Sequence, residues 1–133
     1  MKIAKREDFA LIFMSELSKY YPQKYISLSQ IAKQAHLSSL FLKHIAAELL
    51  EKGLIESREG ISGGYRLKKD PKDIPVSEIV SAISEGVVAP SCAHGGTCRI
   101  KKSSCSCINL WDKVNKNLFG FLKNISLSDF NKL

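Results

Sequence analysis

The sequence predicts a mainly α-helical fold carrying one small β-hairpin, and three observations predict it. Apolar residues recur at spacings of three and four in five separate segments, the pattern of helices with one buried face. Around residues 54–68 that period gives way to two short strand-like runs about a glycine-rich tip. The chain has 133 residues and 44% hydrophobic content, enough for one ordinary domain, or a small domain with an appendage.

The elements follow in order. In "DFALIFMSELSKY" (8–20), Phe9, Ile12, Phe13, Leu17 and Tyr20 share one face, and Pro22 is expected to end the helix. "SLSQIAKQAH" opens with Ser27 and Gln30 three residues apart, a capping-box start, and Leu28, Ile31, Ala32 and Ala35 give a short apolar face. After a turn at His36–Ser38, "SSLFLKHIAAELLEKG" offers Ser38 as a cap, Leu42, Ile45 and Leu49 as an inward stripe, and Gly53 as the stop. Leu54–Arg58 and Tyr65–Lys68 read as strands joined by Gly60-Ile61-Ser62-Gly63-Gly64. Past Pro71 and Pro75, "VSEIVSAI" is a further helix that Gly86 is expected to close. Beyond a cysteine-bearing loop, Trp111, Val114, Leu118, Phe121 and Ile125 repeat as 3-4-3-4, an a/d seam of about two heptads. Such a helix can lie on its own domain. Pairing with a partner chain is favoured, since a lone helix gains stability by burying its apolar face. "SLSDF" at 126–130 reads as a cap, Ser126 with Asp129, opening a short terminal turn. The expected division is 1–85, 86–107 for the cysteine loop, and 108–133 for the long helix and tail.

Bulk properties narrow the function. No apolar run approaches the roughly 18 residues of a membrane span, so no membrane association is expected. The opening "MKIAKREDFALIF" has charges where a signal peptide needs its apolar stretch, so a cytoplasmic location is expected. Thiols in a reducing compartment rarely form structural disulfides, which tilts the cysteines toward metal or redox chemistry. The net charge of +7 suits polyanions. It is weak evidence, being spread along the chain. Neither a nucleotide-binding glycine motif nor a nucleophile–base pair is visible, so no enzymatic role is expected.

Two short helices, a tight turn and an immediate hairpin make a winged helix-turn-helix. The second helix of such a unit fits the major groove of duplex DNA, and the hairpin tip reaches the backbone or minor groove. Ser38, Ser39, Lys43 and His44 turn outward on that helix. Arg58 and Arg66 flank the wing tip, with Lys68 and Lys69 following, as phosphate contacts require. The candidate DNA-binding set is Ser27, Ser38, Ser39, Phe41, Lys43, His44, Arg58, Ser62, Gly63, Gly64, Tyr65 and Arg66. Each has a plainer alternative: Ser38 as cap only, Lys43 and His44 as solvated surface residues.

All four cysteines lie in "SCAHGGTCRIKKSSCSC", with spacing C-x5-C-x6-C-x-C: Cys92, Cys98, Cys105 and Cys107. Zinc ribbons pair their ligands as C-x2-C, so zinc is disfavoured. Thiolates gathered this closely suit an iron–sulfur cluster. Gly95 and Gly96 would let the chain wrap it, while Arg99, Lys101 and Lys102 would offset its charge and lower thiol pKa values. A thiol redox switch is the alternative.

Taken together, "KREDFAL", "SLSQIAKQAHLSSLFLKHIAAELLEKGLIES", "GGYRL", "PVSEIVSAISEG" and the "LW" at 110–111 resemble the Rrf2 family of bacterial transcription regulators across essentially the whole chain. The resemblance implies a homodimer whose long helix crosses its partner, with two winged units facing a palindromic operator. It implies that Cys92, Cys98 and Cys105 hold a [2Fe–2S] or [4Fe–4S] cluster sensing iron, redox state or nitric oxide, and that the protein acts as a repressor. Some members supply a histidine three residues before the tryptophan; this chain has Ile108 there. Another branch uses an aspartate of the first helix from the other subunit, and Asp8 occupies that place. Cys107 and His94 compete for the same role, although Cys107 also continues the apolar seam four residues before Trp111. Lys43 stands where the family often has glutamate. Glu59 stands where it often has arginine, with Arg58 one residue earlier, so a different preferred operator is an expectation. Two rivals remain: the same DNA-binding fold with thiol or protein-partner sensing and no cluster, and a small iron–sulfur electron carrier, which needs no winged unit.

Overall fold

A computed structural model describes residues 5–84 and 105–133. The order is α1 (Lys5–Ser18), α2 (Leu28–Ala35), α3 (Ser39–Glu51), β1 (Ile55–Arg58), β2 (Gly64–Leu67), a 3-10 turn (Pro71–Asp73), α4 (Val76–Ile83), α5 (Ser106–Lys123) and α6 (Leu127–Phe130). The predicted class, mainly helical with a two-stranded antiparallel wing, is the observed one.

Helix α1 begins three residues before the predicted start and ends at Ser18, short of Pro22. Tyr20 lies outside it, because the chain turns there with the Tyr20 N–H donating to the Leu17 carbonyl at 3.1 Å. Helix α2 is capped by Ser27, whose Oγ accepts from the Gln30 N–H at 3.2 Å. It ends on His36 in the left-handed region, φ 56°. Ser38 occupies the N-cap position of α3, but its side chain makes no capping bond, so the expected cap is positional only. At the other end Gly53 takes φ 73°, the left-handed geometry that releases the chain into β1.

The hairpin pairs Ile55 with Leu67, Glu56 with Arg66, Ser57 with Tyr65 and Arg58 with Gly64. Both strands lie one residue off the predicted limits. Ile26 adds a further rung from outside the hairpin, exchanging backbone hydrogen bonds with Tyr65 at 2.9 and 2.8 Å. This rung fixes the wing against the start of α2.

One core joins these parts. Phe13, Met14 and Leu17 of α1 are buried with Ile31, Leu42, Ile45, Leu49, Ile55, Leu67, Ile74 and Ile79. Leu42, Ile45 and Leu49 form the inward stripe of α3, as their spacing predicts. Helix α4 spans Val76–Ile83 and stops at an extended Ser84, so it ends before Gly86, which lies outside the described residues.

Helix α5 begins at Ser106, which places Cys107 on its first turn, and ends at Lys123, which leaves Ile125 beyond it. The chain then returns to the winged unit. The Val76 N–H donates to the Ile125 carbonyl and the Leu127 N–H to the Ile74 carbonyl, both at 2.8 Å. Leu127 is fully buried in the same core. Ser126 and Asp129 form a two-way capping box that opens α6, as the sequence predicts. The tail therefore belongs structurally to the winged unit.

Candidate nucleic-acid interface and cysteine site

Helix α3 presents Ser39, Leu40, Lys43 and His44 to solvent. Their spacing puts them on one face of the helix. Ser38 is exposed at its start. Phe41 instead turns back: its ring meets Phe9 of α1 edge-on at 5.1 Å between centroids and packs on the core. It anchors the helix start. Leu40, 68% exposed, is an outward residue that the polar pattern of the helix face did not mark.

On the wing, Gly64 takes φ 140°, and a β-carbon there would lie 2.2 Å from the Ile26 carbonyl oxygen. A β-carbon on Gly63 would lie 2.1 Å from the Arg58 carbonyl oxygen. These glycines let the hairpin close against itself and against residue 26. Tyr65 is half-buried, its ring tilted on Phe13 at 5.9 Å, so its side chain faces the core. Ile61 stands fully exposed at the tip. Between the wing and the start of α2 lies an open groove of about 420 Å³. Among the described residues its lining includes Lys24, Arg58 and Arg66 and no carboxylate.

The two wing arginines differ. Arg66 stands opposite Glu56 and is ion-paired to it, its Nε donating to Glu56 Oε1 at 2.9 Å and its Nη1 to the Pro22 carbonyl at 3.3 Å. The Arg66 hydrogen bond holds the Glu56 carboxyl below its ordinary value, and the same bond raises the Arg66 guanidinium further. Arg58 donates to the Ser62 carbonyl across the tip at 3.0 Å. Tyr25 stacks against both, with ring-to-Cζ distances of 4.4 Å to Arg58 and 4.5 Å to Arg66, and its hydroxyl donates to Glu56 Oε1 at 3.3 Å. Sequence reasoning missed Tyr25. Its one signal was an aromatic beside Lys24 just before the second helix.

Of the proposed cluster ligands, Cys92 and Cys98 lie outside the described residues, as do His94, Gly95, Gly96, Arg99, Lys101 and Lys102. Cys105 is a free, buried thiol at the N-cap position of α5 with no side-chain capping bond. Its sulfur is not committed to the backbone of the first turn. Cys107 is free and exposed, and i,i+2 positions on a helix do not share a face. Asp8 is exposed in the first turn of α1. Of the donor set, the described residues show one thiol free of capping bonds at a helix start, Cys105, and one exposed carboxylate, Asp8, both groups of a kind that can ligate iron. The described residues alone bring no three metal-ligating side chains together.

The family description Rrf2, "Iron-dependent Transcriptional regulator", matches residues 3–132. The chain belongs to the Rrf2 family. Among curated Rrf2-type relatives, the HTH-type transcriptional regulator IscR of Klebsiella pneumoniae is 30% identical over 129 residues, covering 97% of this chain and 78% of that protein. IscR of Escherichia coli K12 is also 30% identical, over 97% of this chain and 79% of its own length. Among solved structures, T. potens IscR superposes with a TM-score of 0.76 at 26% identity, covering 99% of this chain and 87% of that one. An oxidized form of Staphylococcus aureus CymR gives 0.73 at 26%, covering 100% and 98%. Membership makes this chain a transcriptional regulator, a non-enzymatic role. No described helix is long and apolar enough to cross a membrane.

Proposed function

We propose that this chain is a cytoplasmic, homodimeric repressor that binds a palindromic operator and is controlled by an iron–sulfur cluster on Cys92, Cys98 and Cys105. The observation that carries the reading is the position of Cys105. It sits at one end of α5, and the other end of α5 runs into a tail locked in the winged core through Leu127. A change at the cysteine end therefore has a continuous path to the recognition helix and wing. When bound, the cluster supplies a centre that iron supply, oxidants or nitric oxide alter. The chain's own residues hold it and pass on its state. The required difference in DNA affinity is modest, about 1–3 kcal/mol.

Dimerisation rests on α5. None of its 18 residues is buried within the single chain, and Leu110 and Phe121 are 53% and 66% exposed. Trp111, Val114 and Leu118 are half-buried beside them. A second copy would cover this seam and bring its Asp8 within reach as fourth ligand, with Cys107 the alternative. Phe121→Asp should weaken dimerisation at least about tenfold, since an interfacial aromatic carries a large share of binding. Sedimentation velocity reads the outcome; an unchanged dimer removes this seam from the interface.

On α3, Ser39, Lys43 and His44 face the major groove, where Lys43 favours guanine and Leu40 suits a thymine methyl. The test of the cluster is anaerobic purification with iron and acid-labile sulfide counted per chain. Stoichiometric iron and sulfide support the cluster. Iron-free protein with intact DNA binding supports the second reading, a thiol switch, which the exposed Cys107 and the likeness to an oxidized CymR favour. Asp8→Ala should alter the cluster's absorption spectrum or stability. An unaltered one removes Asp8 as ligand.

A further inference from the structure

The wing carries two arginines of the same sequence type but unequal electrostatic standing. Arg66 spends its charge at home: Glu56 lies directly across the ladder and takes both the ion pair and the Nε bond. Among the described residues Arg58 meets neutral groups, the Ser62 carbonyl at 3.0 Å and the face of Tyr25 at 4.4 Å. Tyr25 itself lies against Arg66 as well, at 4.5 Å, and its hydroxyl donates to Glu56. The stack Arg66–Tyr25–Arg58 thus passes rigidity from a neutralised ion pair to an un-neutralised guanidinium at the groove beside the wing tip. An exposed arginine otherwise loses much rotamer freedom on binding.

We infer that Tyr25 is a positioning residue for DNA binding: its ring pre-aims Arg58 at a backbone phosphate, while Arg66 serves the platform and contacts no phosphate. The inference deepens the DNA-binding reading and rests on it. A stacked, single-bonded guanidinium keeps free N–H groups for a phosphate, and the lining of the groove next to it adds Lys24. Aromatic stacking costs the arginine none of its charge.

The test measures binding to a mixed-sequence DNA duplex across a salt series, by fluorescence anisotropy, with each variant's fold checked by circular dichroism. The slope of log affinity against log salt counts phosphates neutralised, about 0.9 for each contact. Arg58→Gln should flatten the slope by about one contact per wing and weaken binding several-fold. Tyr25→Ala should do the same although it removes no charge, and Tyr25→Phe, which keeps the ring, should restore most of the slope. A Tyr25→Ala slope equal to the unmodified protein's overturns the positioning role. So does an Arg58→Gln slope equal to the unmodified protein's. If the unmodified protein itself shows no salt-dependent binding, the DNA-binding reading fails and the proposal falls with it, an outcome separate from the other two.

Discussion

Residue 64 must be glycine for the wing to close. Its φ of 140° is open to few other residues, and the Ile26 carbonyl lies where a β-carbon would go. Gly64→Ala should break the Ile26–Tyr65 rung and cost at least about 2 kcal/mol, from backbone strain and lost hydrogen bonds. Urea denaturation reads the loss; a change below about 0.5 kcal/mol, the scale of an ordinary surface substitution, contradicts it. Gly60, also at positive φ (106°), meets nothing within 4 Å, so alanine there carries the backbone penalty alone. Two glycines of one loop therefore differ in what they tolerate.

The wing as an element depends on the Glu56–Arg66 pair. Arg66 lowers the folded pKa of Glu56 below its ordinary 4.5. A lowered carboxylate contributes stability that is complete above the unfolded value and is lost as pH falls through the folded one. The stability difference between the unmodified protein and Glu56→Gln should therefore be constant above pH 4.5 and shrink below it, as pH-dependent urea melts would show. A difference that persists undiminished well below that pH excludes the pair as its source.

At this scale much was legible from sequence. The 3-4 spacing of Leu42, Ile45 and Leu49 identified the buried stripe of α3, and "VSEIVSAI" matched α4 residue for residue. The start of α1 was hidden, because Lys5–Asp8 are all charged, yet Glu7 is buried. Periodicity reads polarity, so it misses a carboxylate folded inward. The rings of Phe41 and Tyr65, two of the candidate DNA contacts, meet Phe9 and Phe13, neighbours that the local sequence did not reveal. Tyr25 escaped notice because its partners lie 31 to 41 residues away in sequence, at Glu56, Arg58 and Arg66.

For the whole molecule, the tail closes the circuit between the cysteine end and the DNA-binding end. Leu127 is fully buried beside Ile74 and the core of α1. Leu127→Ala should cost about 2–5 kcal/mol, the range for removing a buried leucine, although the residue lies just past the long helix. Near-neutral behaviour in denaturant would uncouple the tail from the winged unit. It would also remove the mechanical path from Cys105 to α3.

The central claim is that cluster state sets DNA affinity. Its most direct measurement is operator affinity at fixed salt for one anaerobic preparation, before and after the cluster is stripped by a chelator. Operator sequence is first selected from a random duplex pool with the loaded protein. A shift of about 5- to 150-fold between the two states is expected, the range of ordinary allosteric coupling. Equal affinities, with iron and sulfide shown to be present before and absent after, would contradict it.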